Sequence, residues 1–229
     1  MFACKSNSCR SQMAEGWARE WIQEKKKNLE ENLDETKLPS IKEQLKILNK
    51  ASIVSVALDS ASVFKLSSPK SESCCGEAFH TPAERKAVKE KAIEAMAKDG
   101  VDISNHLPKT IEEVLPSLLR PSTQSLCSTS VSSVEEDEDE GYLLSSEEES
   151  ETKIVDKLII LCSCGDAMKD YLVRRAKSVE EWNVDGPTEK LRCGEKNAYR
   201  RVSLEIKNEV YGLMEDLFAI SEHASELSI

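Results

Sequence analysis

Cys4-Lys5-Ser6-Asn7-Ser8-Cys9-Arg10-Ser11 opens the chain, and the spacing of these residues decides the fold. Cys4 and Arg10 are separated by five residues, and apolar residues at helical spacing begin directly after them. A tetrahedral oxyanion needs several donors around one small volume. Successive backbone N–H groups in a tight loop, together with a helix N-terminus, provide them. Arg10 adds a bidentate charged contact to two of the oxygens. The same positive surroundings favour the thiolate of Cys4, the form that acts as a nucleophile. Ser11 is expected to cap the helix that follows and to donate a hydrogen bond to that thiolate. The candidate oxyanion-binding set is therefore Lys5, Ser6, Asn7, Ser8, Cys9, Arg10 and Ser11.

Working outward, residues 11–35 read as a helix, because Met13, Ala14, Trp17, Ala18, Trp21 and Ile22 recur at spacings of three and four on one face. Trp17 and Trp21 are expected in the core. A second helical stretch over 40–49 leads into Ser52-Ile53-Val54-Ser55-Val56-Ala57, a short buried-strand candidate. Residues 66–80 read as a loop. Thr81-Pro82-Ala83-Glu84 has the form of a capping box with Pro at the first helical position, so a helix is predicted from there to Asp99-Gly100. Leu158-Ile159-Ile160-Leu161-Cys162 is a short apolar run suited to a strand buried on both faces. A final amphipathic helix is predicted over 196–218. Strands alternating with helices favour a parallel sheet covered on both sides, an α/β fold.

The charge of the chain is uneven. Its net −11 includes ten acidic residues between Val134 and Glu151, with no basic residue among them, so the remainder stands near −1. Residues 121–152 are Ser-rich and then acidic, with little to bury, and read as a disordered insertion. The expected organisation is one α/β domain in two parts, residues 1–120 and 153–229, interrupted by that insertion. Ser132, Ser133, Ser145 and Ser146 each have an acidic residue three positions on, the pattern of an acid-directed kinase. The charge balance argues against broad nucleic-acid binding, which needs a basic face. No run approaches the roughly 18 apolar residues of a membrane span, and no apolar signal segment opens the sequence. A cytoplasmic protein with reduced thiols is expected.

The longer string Cys4-x-x-Asn7-x-Cys9-Arg10-Ser11-Gln12-Met13-Ala14-Glu15-Gly16 resembles the start of thioredoxin-linked arsenate reductases, within the low-molecular-weight tyrosine-phosphatase-like superfamily. Gln12 stands where phosphatases of this fold usually carry Pro. Lys91-Ala92-Ile93-Glu94-Ala95-Met96 and Gly100-Val101-Asp102-Ile103-Ser104-Asn105-His106 resemble the family's central helix and the turn after it. Leu161-Cys162-Ser163-Cys164-Gly165-Asp166-Ala167 is similar to its third strand and redox loop, and Trp182-Asn183-Val184-Asp185-Gly186-Pro187 to the segment carrying its general acid. The resemblance implies a three-layer flavodoxin-like sheet of four parallel strands. It also implies Cys4 as nucleophile, Arg10 as anion ligand, Asp185 as acid and Cys164 or Cys162 as second thiol. No bound cofactor is implied; an external thiol reductant (thioredoxin, glutaredoxin or glutathione) would supply electrons for turning arsenate into arsenite. Phosphate is the alternative oxyanion if the chain is a low-molecular-weight protein tyrosine phosphatase. A third reading is a non-catalytic member that binds an oxyanion or a protein.

The sequence differs from the family pattern in four places. Only Met1-Phe2-Ala3 precede Cys4, so the first strand is expected to be truncated. Ser6 replaces a Gly that serves unusual dihedrals, which predicts strain at Ser6. Gly186, not an acid, precedes Pro187, and Asp185 stands one step earlier. The second relay cysteine falls near Tyr171, which has no thiol. Cys162 and Cys164 could pair with each other, and Cys9 with Cys4. Cys74-Cys75 reads as free thiols, a zinc site from Cys162, Cys164 and Cys193 lacks the usual spacings, and His106 is expected to make local hydrogen bonds.

Overall fold

The computed structural model describes residues 1–32, 38–64, 84–115, 154–162 and 167–226. Strand β1 (Phe2–Cys4) passes through the loop of residues 5–9 into helix α1 (Arg10–Glu31). Helix α2 (Leu38–Lys50), strand β2 (Ser55–Ala57) and a 3-10 turn (Ser60–Val63) follow. Then come α3 (Glu90–Ala97) and the short α4 (Ile111–Val114). The second part of the chain supplies β3 (Val155–Ile160), α5 (Ala167–Arg175), β4 (Ala176–Glu181), α6 (Pro187–Arg192) and α7 (Ala198–Glu226).

The four strands form one all-parallel sheet in the order β2-β1-β3-β4. This is the flavodoxin-like α/β arrangement expected. Phe2, Ala3 and Cys4 are all buried, as are Leu158, Ile159 and Ile160. Because successive strand residues point to opposite faces, runs of this kind require cover on both. The order reverses direction at β1, and in open parallel sheets the crevice at such a point, beyond the carboxyl ends of the strands, is where ligands bind. The loop after Cys4 leaves the sheet there.

Short as it is, β1 is fully engaged. Phe2 pairs with Ser55 on one side and Ile159 on the other. The Ile159 N–H donates to the Met1 carbonyl at 2.9 Å, and the Leu161 N–H to the Ala3 carbonyl at 2.9 Å. Three strand residues are enough because both neighbours are present; no edge is left to fray.

Helix α1 packs along α7. Trp17 and Tyr211 meet edge to face at 6.2 Å between centroids, and Trp21 and Phe218 at 5.9 Å, a geometry aromatic quadrupoles favour. Both tryptophans are buried, as expected, and their indole N–H groups donate to Ser203 and Glu215. Gly16 is fixed by packing: a Cβ there would lie 2.7 Å from Ile103 Cγ2 and 3.0 Å from Met96 Cε.

Two helix starts differ from the reading of the sequence. The capping role assigned to Ser11 is not observed; α1 begins at Arg10 with Cys9 as N-cap and no side-chain cap. The helix predicted from Thr81 begins at Glu90 instead. Residues 81–83 lie outside the described residues, and Arg85 is drawn into a bridge with Phe64. Backbone pairing there outweighs a local capping signal. The loop at 66–80 and the insertion at 121–152 also lie outside the described residues. Among those described, no helix is long and apolar enough to cross a membrane.

Glu15 was not singled out by sequence reading. Its carboxylate, about 2% exposed, receives Lys109 at 2.8 Å, Arg19 at 2.7 Å, and the Ser55 N–H and hydroxyl at 3.0 and 2.5 Å. It thereby ties α1 to β2 and to the segment before α4. Burial works to raise the Glu15 carboxyl, but the bonds from Lys109, Ser55 and Arg19 outweigh it and hold it below the usual carboxylate range. A carboxyl depressed on folding adds stability that is complete above its unfolded value, about 4.3. That stability is lost as pH falls through the folded value. Glu15→Gln is expected to lower unfolding free energy at neutral pH by about 3 kcal/mol and to flatten the acid limb below about pH 4.3. Urea titrations across pH measure both; an unchanged acid limb would contradict the assignment.

Candidate active site: the Cys4–Arg10 loop

The loop is folded so that its carbonyls face the protein. The Cys4 carbonyl accepts from Leu58 N–H, Lys5 from Asp59 N–H, Ser8 from Lys89 N–H and Cys9 from Met13 N–H, each at 2.9 Å. Among the described residues, nothing accepts from the N–H groups of residues 6–9. The first turn of α1 carries no acidic residue and no side-chain cap. An uncapped helix N-terminus next to free loop N–H groups is a positive, donor-rich concavity.

Asn7 sets that shape. It has φ 47°, the one non-glycine residue with positive φ among those described, and it is fully buried. The strain predicted at Ser6 is therefore one position further on. Asparagine bears it better than most residues, because its short amide can bond locally in the left-handed region. Here the Asn7 amide oxygen accepts from Gln12 Nε2 at 2.7 Å and from the Lys109 N–H at 2.7 Å, while Nδ2 donates to Ser11 Oγ at 3.0 Å. Ser6, in turn, shares a hydroxyl hydrogen bond with Ser8 at 2.9 Å.

Ser11 Oγ also lies 2.9 Å from Cys4 Sγ, with both residues buried. Of the two roles expected of the Ser11 hydroxyl, it caps no helix N–H but does meet the Cys4 sulfur. Gln12 is buried and completes the ring, with Nε2 also donating to the Leu107 carbonyl at 3.0 Å and Oε1 meeting His106 Nδ1 at 2.9 Å. His106 therefore bonds across the fold and not only within its own turn. Burial pushes its imidazole below the usual value, although the Glu15 charge opposes this.

Arg10 Nη1 donates to the Val184 carbonyl at 2.6 Å, which fastens the segment after β4 to the start of α1. Asp185 follows directly. It is exposed and ion-paired with Lys190, and the hydrogen bond and charge of Lys190 hold its carboxyl below the usual range. Cys9 is buried; burial, with the Cys4 thiol beside it, pushes its own thiol up to about 12.

Cys162 follows β3 at the carboxyl end of the sheet, is buried, and is disulfide-bonded. Cys164 lies outside the described residues, as do Cys74 and Cys75. Cys193 is free and exposed at the C-cap of α6. Among the described residues no group of three or more His, Cys, Asp or Glu side chains converges as a metal would need. The structure thus brings Cys4, Ser11, Arg10 and the Val184–Asp185 segment together at the carboxyl end of β1. The contacts of Lys109 and Lys89 with the loop, and of His106 with Gln12, come from distant chain positions and carry no local sequence signal.

No protein-family model matches the chain, and no curated protein matches it. Among solved structures it is similar to one described as "An arsenate reductase in the phosphate binding state", with 20% identity over 94% of this chain and 95% of that one, and a TM-score of 0.46. A likeness of this degree fixes neither ligand nor activity.

Asn7→Ala removes all the amide bonds and leaves a left-handed residue with a Cβ and no partner. It is expected to cost about 2–4 kcal/mol. Asn7→Gly, which tolerates the same φ, should recover about 1 kcal/mol of that loss. Equal stability of the two variants in urea would show that φ at this position is not the constraint.

Proposed function

We propose that the chain is an arsenate-reductase-like enzyme in which Cys4 attacks arsenate held by residues 5–11. The observation that carries this reading is the pairing of a buried thiol, 2.9 Å from Ser11 Oγ, with loop N–H groups that have no acceptor among the described residues. Developing negative charge on an oxyanion is stabilised by preorganised donors of this kind.

Cys4 Sγ forms a bond to arsenic, and an arsenate hydroxyl leaves as water after taking up a proton. A second thiolate then attacks Cys4 Sγ. The S–As bond breaks with its electron pair staying on arsenic, so As(V) becomes As(III) and the two thiolates become a disulfide. Arg10 shares the oxyanion charge through the donors it does not spend on Val184. Asp185 is the proposed proton donor for the first step. It is held ionised by Lys190 in the state described, so its use requires that pair to open.

The second thiol is the point on which the structure bears most. Cys9 is buried with its thiol pushed up to about 12, and Cys162 is engaged in a disulfide. Neither of these described cysteines is a ready second thiol, so the second thiol is proposed to be Cys164, which lies outside the described residues, or an external one, a low-molecular-weight thiol or a dithiol protein such as thioredoxin or glutaredoxin. The same observation favours a second reading, an aryl phosphatase, which needs only Cys4, Arg10 and an acid. There the phosphoryl group passes to Cys4, the phenol leaves, and water releases phosphate.

Purified protein given arsenate with glutathione, glutaredoxin or thioredoxin is expected to yield arsenite, and Cys4→Ser to abolish it. Absence of arsenite with every donor, together with Cys4-dependent hydrolysis of an aryl phosphate, would replace the reductase reading with the phosphatase one. Absence of both activities would overturn enzymatic function at this loop.

A further inference from the structure

A cleft of about 620 Å³ lies between α3, the end of α6 and the start of α7. Its rim is basic. Lys91, Lys98 and Lys196 are exposed and have no ion-pair partner among the described residues. Arg200 and Arg201 stand beside them, paired with Asp99 at 3.0 Å and Glu195 at 2.5 Å. Glu94 is the one acidic residue lining the cleft. Between these charges the lining is apolar: Leu191, Leu204 and Ala95, with Tyr199. Leu204 is 38% exposed and presents its side chain to the cleft. A cleft with an apolar centre and an unneutralised lysine rim fits a peptide that is acidic on both sides of an apolar anchor.

The chain contains such a peptide. Glu135-Glu136-Asp137-Glu138-Asp139-Glu140 and Glu147-Glu148-Glu149 flank Tyr142-Leu143-Leu144. We propose that the cleft is the docking site for this stretch of the same molecule, with Tyr142, Leu143 and Leu144 against Leu191 and Leu204 and the flanking carboxylates on the lysine rim. Residues 116–153 join α4 to β3; Tyr142 stands 27 residues after Leu115 and 12 before Ile154, so at about 3.3 Å per residue its shorter arm spans on the order of 40 Å, about the diameter of a body of this size. Tethering raises the local concentration to the millimolar range, so contacts weak in a free peptide suffice within one chain.

The cleft adjoins the Cys4 loop. Lys89, whose N–H holds the Ser8 carbonyl, donates through Nζ to Thr188 at 2.7 Å, and Thr188 is 2.9 Å from the Tyr199 hydroxyl. Docking here therefore bears on elements that touch the loop.

The test is a binding measurement on the full chain, independent of turnover. A labelled peptide of residues 134–151 is titrated, at low salt, into the unaltered chain and into a chain with Glu135, Glu136, Glu138 and Glu140 changed to Gln and Asp137 and Asp139 to Asn. The altered chain, its cleft freed, is expected to bind at least tenfold tighter, with the gain lost in high salt. Adding Lys98→Glu and Lys196→Glu should reverse the gain, and Lys98→Gln with Lys196→Gln should reduce it in the same direction. Equal affinity of the unaltered and altered chains would overturn occupancy by the chain's own segment. Indifference to the lysine changes would overturn the cleft as the site. Dimerisation of the unaltered chain, seen by sedimentation and lost with the acidic changes, would show docking between copies and overturn docking within one.

Discussion

The left-handed backbone of Asn7 is the constraint on which the site depends. At φ 47° the chain turns so that the carbonyls of Cys4, Lys5, Ser8 and Cys9 face the body of the protein. Such a conformation persists only when the surroundings over-determine it. Here they do: Gln12 and the Lys109 N–H donate to the amide oxygen, and the amide nitrogen donates to Ser11. Each of these partners has a second duty. Ser11 holds Cys4, Gln12 meets His106 and Leu107, and Lys109 pairs with Glu15. The shape of the loop, the position of the thiol and the join between α1 and β2 are therefore one connected network of buried polar groups.

The charges around this network are placed asymmetrically. Glu15 lies inside it as a carboxylate already neutralised by Lys109 and Arg19. The start of α1 has no acid at all, and Arg10 and Lys89 flank it. An anion brought to the loop meets uncompensated donors, whereas the same anion near Glu15 would not. The thiols are divided in the same way. Cys4 is held by a hydroxyl, Cys9 is kept as a thiol by burial, and Cys162 is tied in a disulfide.

Much of the fold was legible because its elements are defined by periodicity. The α1 stripe from Met13 to Ile22 and the apolar run at 158–162 needed no tertiary information. Strand β4 was implied only by family resemblance: among its residues only Ala176 is buried, since it lies at the sheet edge, so it carries neither an apolar run nor a clean alternation. The start of α3 was misplaced because Pro82 and Glu84 give a strong local signal, while the Arg85–Phe64 bridge that overrides it is long-range. Within the site, Cys4 and Arg10 were found by spacing. Strain was assigned to Ser6 by comparison with a glycine, yet the residue that bears it is Asn7, because the loop's hydrogen-bonding partners decide which residue turns. Glu15 and Lys109 were invisible to sequence reading, as their pairing joins positions 94 residues apart.

The central claim is that the N–H groups from residue 6 into the first turn of α1 form a preorganised oxyanion cradle around Cys4. Amide NMR spectra of the ¹⁵N-labelled protein during titration with inorganic phosphate test it most directly. The account predicts saturable shifts concentrated at residues 6–11, with the Arg10 guanidinium moving alongside. Shifts confined to the cleft lysines Lys91, Lys98 and Lys196, or none at residues 6–11, would contradict it.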